Sequence, residues 1–143
     1  MQISHMMLFC RDQDEARDFY RDKLGFEVQS DVEFGEDFRW LTLSLPGQDL
    51  ELCLMPPHAG PHPPEVVERI RELLALGGTM GGIVRTDDCR RDYETLRERG
   101  VEFTGEPEER FYGVDVGFRD PSGNPWRLTQ PAEVVVPPSV QTA

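Results

Sequence analysis

The chain has 143 residues, with 15 Lys and Arg against 27 Asp and Glu and a formal net charge of −12. That length suits one domain, or two very small ones, because units below roughly 60–70 residues bury too little surface to be secure alone. A hydrophobic share of 38% supports a core and excludes wholesale disorder, no run approaches the ~20 apolar residues of a membrane span, and strong negative charge without a basic stripe argues against nucleic-acid and anionic-membrane partners.

The opening MQISHMMLFCRD lacks a basic n-region and a cleavage site, so it does not read as a signal peptide. Within it, residues 3–10 form a strand-like apolar run. DQDEARDFYRDKLGF then reads as a helix: Asp12 caps it, Glu15 completes a capping-box spacing, and Ala16, Phe19, Tyr20 and Leu24 share a face that ends at Gly25. Strands are expected at 26–33, 38–45 and 49–55, the last two joined by the turn PGQD. On the second of these, Leu41, Leu43 and Leu45 alternate with Phe38, Trp40, Thr42 and Ser44. The leucines suit a helix-facing side, which turns Phe38 and Trp40 the other way.

A Pro-rich connector, PPHAGPHPP, occupies 56–64 and cannot be helical inside. His58 and His62 have the spacing of a helical metal pair, but the surrounding prolines leave them on a surface loop that could cover a cleft mouth. PEVVERIRELLAL follows as an amphipathic helix stopped at Gly77-Gly78. Then the opening pattern returns. A strand is expected at 80–86, a helix opened by Asp87-Asp88 and closed by Gly100, and strands at 101–105, 112–118 and 125–130 around the turn DPSGN. The stretch EPEER reads as a solvated loop. Cys10, Cys53 and Cys89 are odd in number and widely spaced, which fits buried apolar side chains in a reducing cytoplasm rather than a disulfide framework or zinc site.

The return is an internal repeat. Asp12 to Gly25 and Asp87 to Gly100 have equal spacing, and GFEV at 25–28 answers GVEF at 100–103, an offset of 75. Each half is β-α-β-β-β, and neither closes its own core. The fold class is therefore α+β: two βαβββ modules forming a curved mixed sheet with a concave ligand cleft. The domain is placed at 1–131, with one module at 1–56, linker and helix at 57–78 and a second module at 79–131. Residues 132–143 are a tail.

The run SHMMLFCRDQDEARDFYRDKLGFEV, and VRTDDCRRDYETLRERGVEF followed by FRDPSGNPWRL, resemble the two modules of the vicinal-oxygen-chelate superfamily. That superfamily includes glyoxalases, extradiol dioxygenases and metal-free bleomycin-resistance proteins. Where it uses a metal, the resemblance implies two ligands from each module, on its first and fourth strands. His5 stands at the first such position and Glu51 at the second. In the second module the first position falls on Met80 or Gly81, and the last on Arg127, which is permanently charged and cannot ligate.

A cation there disfavours a divalent ion by Coulomb repulsion, and Arg127 could instead pair with Glu51. The resemblance thus implies a cytoplasmic, homodimeric protein that takes a small planar or carbonyl-bearing ligand without metal. His5 and Glu51 are the candidate catalytic or polar contacts, with Phe38, Trp40, Arg127, Trp126 and Tyr112 as ligand contacts. The alternative is a metal-dependent lactoylglutathione lyase-like or isomerase enzyme, in which His5 and Glu51 hold Zn, Ni or Fe.

Overall fold

Asp12 accepts a hydrogen bond from the Glu15 amide at 2.8 Å, and Asp88 does the same for Arg91 at 2.9 Å. These two caps start the helices that organise the two halves of the chain. In the computed structural model, which describes residues 1–134, the chain divides into two compact units. The first comprises Met1–Gly81 with Asp120–Pro125, and the second Gly82–Arg119 with residues 126–134. The part of the expected tail beyond residue 134 lies outside the described residues.

In the first unit, β1 (His5–Phe9) leads to α1 (Gln13–Asp18), which continues as one π-helical turn over Phe19–Lys23. Gly25, with φ of 81°, supplies the left-handed residue after that turn. Three strands follow, β2 (Glu27–Phe34), β3 (Phe38–Ser44) and β4 (Glu51–Met55). They form a mixed sheet in the order β1-β4-β3-β2, with β1 parallel to β4 and the other pairs antiparallel. Leu8, Leu41, Leu43 and Leu54 are buried with Ala16, Phe19, Tyr20 and Phe26. Arg39, on the leucine side of β3, reaches Asp14 of α1 at 2.7 Å, so α1 covers the leucine face. α2 (Pro64–Leu76) completes this unit and ends at Gly77 in the left-handed conformation.

The second unit holds β5 (Ile83–Arg85), α3 (Cys89–Glu98), β6 (Glu102–Phe103), β7 (Glu108–Arg110), β8 (Gly113–Arg119) and, from Trp126 on, β9 (Pro125–Pro131). Its mixed sheet has the order β5-β9-β8-β6, with β7 pairing β8. Tyr93 of α3, Phe103, Phe118 and Trp126 form a continuous aromatic row, with ring centroids 4.6, 5.8 and 6.2 Å apart in turn, the first two contacts edge-to-face and the last stacked. Gly82 lets Trp126 approach: a Cβ there would lie 2.8 Å from the ring.

The α+β class with two mixed sheets is thus the observed one. Two details differ from expectation. Residues 108–110 of the EPEER stretch pair antiparallel with β8 instead of forming a free loop. The strand expected at 80–86 begins only at Ile83.

Candidate functional site

On the face of the first sheet that points away from α1, His5, Met7 and Phe9 alternate on β1 and Glu51, Cys53 and Met55 on β4. The parallel register sets His5 directly beside Glu51. The imidazole Nε2 lies 3.3 Å from the Glu51 carboxylate, and Nδ1 lies 2.9 Å from the Ser4 hydroxyl. Both members of the pair are half-buried. The Trp40 ring stands 5.5 Å from the imidazole, at an interplanar angle of 54°.

The antiparallel register of β2 on β3 extends the same face, because Val32 opposes Trp40 and Phe34 opposes Phe38. Val32 and Phe34 are exposed, which makes this edge an apolar platform beside a polar His–Glu pair. Thr42, also on this face, is fully buried, and its hydroxyl has no hydrogen-bond partner among the described residues. Cys53, opposite Thr42, is buried as well, and burial pushes its thiol up to about 11, leaving it protonated and unreactive. His62 of the Pro-rich loop places its ring 6.0 Å from Phe9. Phe38 also lines a pocket of about 310 Å³ at the β2–β3 turn, together with Gln13, Glu33, Asp37, Arg39 and His58.

The second unit repeats the arrangement with different chemistry. Away from the aromatic row, β8 and β9 present Asp115, Gly117, Arg127 and Thr129. Arg127 is ion-paired with the buried Asp115 carboxylate, whose Oδ2 also accepts from the Thr129 hydroxyl at 2.9 Å. Arg127 therefore has Asp115 as its partner and Glu51 has His5, which replaces the expected Glu51–Arg127 pair.

Register also corrects the module-two counterpart of His5. β5 pairs with β9 so that Ile83 stands beside Arg127, as His5 stands beside Glu51. The equivalent residue is Ile83, not Met80 or Gly81. Trp126 belongs to the aromatic core of its unit, and Tyr112 packs edge-on to Phe111 at 5.1 Å. Val32, Phe34 and Asp115 escaped the sequence reading, which placed Thr42 on this face without giving it a role. Pairing β2 with β3 as a hairpin would have found the first two. A lone carboxylate within VDV, four residues after the EER run, was the only local sign of Asp115.

The donor set does not fit a divalent ion. In the first unit His5 and Glu51 supply two ligands, and in the second unit the equivalent positions, Ile83 and Arg127, supply an apolar chain and a cation. No group of three His, Cys, Asp or Glu side chains is arranged to hold a metal among the described residues.

The family model described as Glyoxalase/Bleomycin resistance protein/Dioxygenase superfamily matches residues 2–128. YurT of Bacillus subtilis (strain 168) is 37% identical over 91% of this chain and 99% of its own. The crystal structure of UcmS2 superposes with a TM-score of 0.83 at 36% identity, covering 90% of this chain and 97% of that one. That of TnmS3, an antibiotic binding protein from Streptomyces sp. CB03234, superposes with a TM-score of 0.72 at 32% identity, covering 92% and 97%.

Proposed function

The chain belongs to the Glyoxalase/Bleomycin resistance protein/Dioxygenase superfamily, and on that premise we propose that it binds a small planar or carbonyl-bearing molecule without a resident metal. The observation that carries the reading is the indole of Trp40 standing 5.5 Å from a His5 that is itself paired to Glu51. A half-buried indole with exposed apolar neighbours in Val32 and Phe34 favours a flat ring system, and the His–Glu pair offers that ring one polar anchor. Val32 and Phe34 lengthen the apolar side, and Phe38 is its natural limit at the hairpin turn. The likeness to TnmS3, an antibiotic binding protein, supports a ligand of natural-product size.

The competing reading, a metal-dependent lyase or isomerase, needs ligands at the equivalent positions of the second unit, and Ile83 and Arg127 are not ligands. Absence of a metal requirement is part of the proposal and is tested with it.

Titration with the planar naphthalene ketone 6-propionyl-2-dimethylaminonaphthalene, followed by tryptophan quenching, is the direct experiment. The wild-type chain is expected to bind it, and Trp40→Ala to weaken binding about tenfold, the loss of one good aromatic contact. Prior treatment with EDTA is expected to leave the affinity unchanged. Equal affinity in Trp40→Ala, or binding that disappears on chelation and returns with Zn²⁺, Ni²⁺ or Fe²⁺, would defeat the reading.

A further inference from the structure

We propose that the Asp115–Arg127 pair of the second unit is a charge-neutral donor site for an uncharged acceptor oxygen, a ketone or amide carbonyl, and that Asp115 is its positioning residue. This rests on the small-molecule reading above and names the ligand chemistry that the second unit selects.

The geometry fixes the guanidinium on one edge and frees it on another. Asp115 is 2% exposed and Arg127 45%. Nε donates to Asp115 Oδ2 at 3.1 Å, and Nη2 is ion-paired with Oδ1. The Thr129 hydroxyl holds the carboxylate from the other side. Nη1 has no hydrogen bond among the described residues. Gly117 clears the space in which it lies: a Cβ there would stand 3.0 Å from Nη1 and 2.6 Å from the Thr104 hydroxyl. The guanidinium is therefore laid against bare backbone with one N–H₂ group left to donate.

Charge then decides what it donates to. An uncompensated, half-buried guanidinium prefers a carboxylate or phosphate. Here a buried carboxylate cancels its charge within hydrogen-bond distance, and the chain as a whole carries −12. A ligand anion on Nη1 would meet the field of Asp115 at close range, whereas an uncharged carbonyl oxygen accepts the same hydrogens without that repulsion.

Two matched probes test this on the full chain at pH 7: the ketone 6-propionyl-2-dimethylaminonaphthalene and the carboxylate 6-dimethylamino-2-naphthoate. The ketone is expected to bind at least about tenfold tighter. Asp115→Asn keeps the shape and removes the charge, so it should narrow that ratio to about threefold or invert it. Arg127→Leu should weaken the ketone about tenfold, the loss of one charge-assisted hydrogen bond.

Salt dependence of the wild-type chain reads the same property if Asp115→Asn does not fold. Ketone affinity should be flat with NaCl, and carboxylate affinity should rise as repulsion is screened. Equal affinities in the wild-type chain, an unchanged ratio in folded Asp115→Asn, or carboxylate binding that weakens with salt would each overturn the proposal. Failure of the Trp40 face is a separate outcome, since Trp40→Ala would then leave both affinities unchanged while the ratio still reports on Asp115.

Discussion

Asp120, buried at the start of the DPSGN turn, accepts four hydrogen bonds. The Tyr20 hydroxyl donates to Oδ2 at 2.6 Å and the Asn124 side chain at 2.9 Å, while the amides of Ser122 and Asn124 donate to Oδ1, each at 2.9 Å. Asn124 in turn donates to the Phe9 carbonyl at 2.7 Å, which ties the turn to the end of β1. An Asp at this position is therefore a structural hub of the first unit rather than a site residue. Asp120→Ala strands buried donors and is expected to lower the unfolding free energy by about 3–5 kcal/mol, whereas Tyr20→Phe removes one bond and should cost only about 1 kcal/mol. Urea unfolding measures both. Similar losses in the two variants would mean that the turn amides find other acceptors.

Between helix and hairpin, Arg39 of β3 binds Asp31 of β2 through bonds of 2.7 and 3.0 Å and Asp14 of α1 at 2.7 Å. Hydrogen bonding to this guanidinium holds both carboxyls below the usual carboxylate range. A carboxylate with a depressed folded pKa contributes stability above its unfolded value of about 4, and the contribution is lost as pH falls through the lowered folded value. Arg39→Met should therefore lower the Tm at pH 7 by about 2–5 °C, and its gap to the wild-type chain should close as pH falls below the unfolded value of about 4. Asp14 is largely exposed, so most of the effect belongs to Asp31. Thermal melts at pH 7 and in acid decide it, and a gap that widens in acid contradicts it.

Elements governed by local chemistry were legible before any coordinates. Asp12 and Asp88 cap, Gly25 and Gly100 follow their helices with φ of 81° and 87°, and Leu41 and Leu43 turn toward α1. His5, Glu51 and Trp40 were placed on one face by resemblance and alternation together, and register joins them. What depends on a neighbouring strand was not legible. β7 has no apolar alternation and exists because β8 offers it hydrogen bonds. The repeat offset of 75 holds at the glycines that close the helices, but the helix caps Asp12 and Asp88 stand one residue further apart, the link from first strand to cap is two residues shorter in the second module, and the counterpart of His5 slid from Met80 or Gly81 to Ile83. Asp115 looks like a solvent-facing strand carboxylate until Arg127 is set beside it.

At the scale of the whole molecule, the homodimer expected from the resemblance becomes a proposal with its own physics. β1 and β5 are terminal strands of their sheets, and they carry exposed Met6, Met7 and Ile83. Uncovered strand edges with apolar side chains are ordinarily masked by pairing or association. Opposing this, each chain carries −12, and two such chains repel over a Debye length of about 10 Å at 0.1 M salt. Apolar burial that wins at physiological ionic strength should therefore weaken as salt is removed, the reverse of an association held by ion pairs. Light scattering behind size exclusion is expected to give twice the chain mass at 150 mM NaCl, with dissociation favoured at about 10 mM. Met6→Lys or Ile83→Lys, each adding a charge to an exposed edge, should shift the chain toward monomer with its circular dichroism unchanged. A monomer at every salt concentration, or a dimer strengthened by removing salt, would rule out association through these edges.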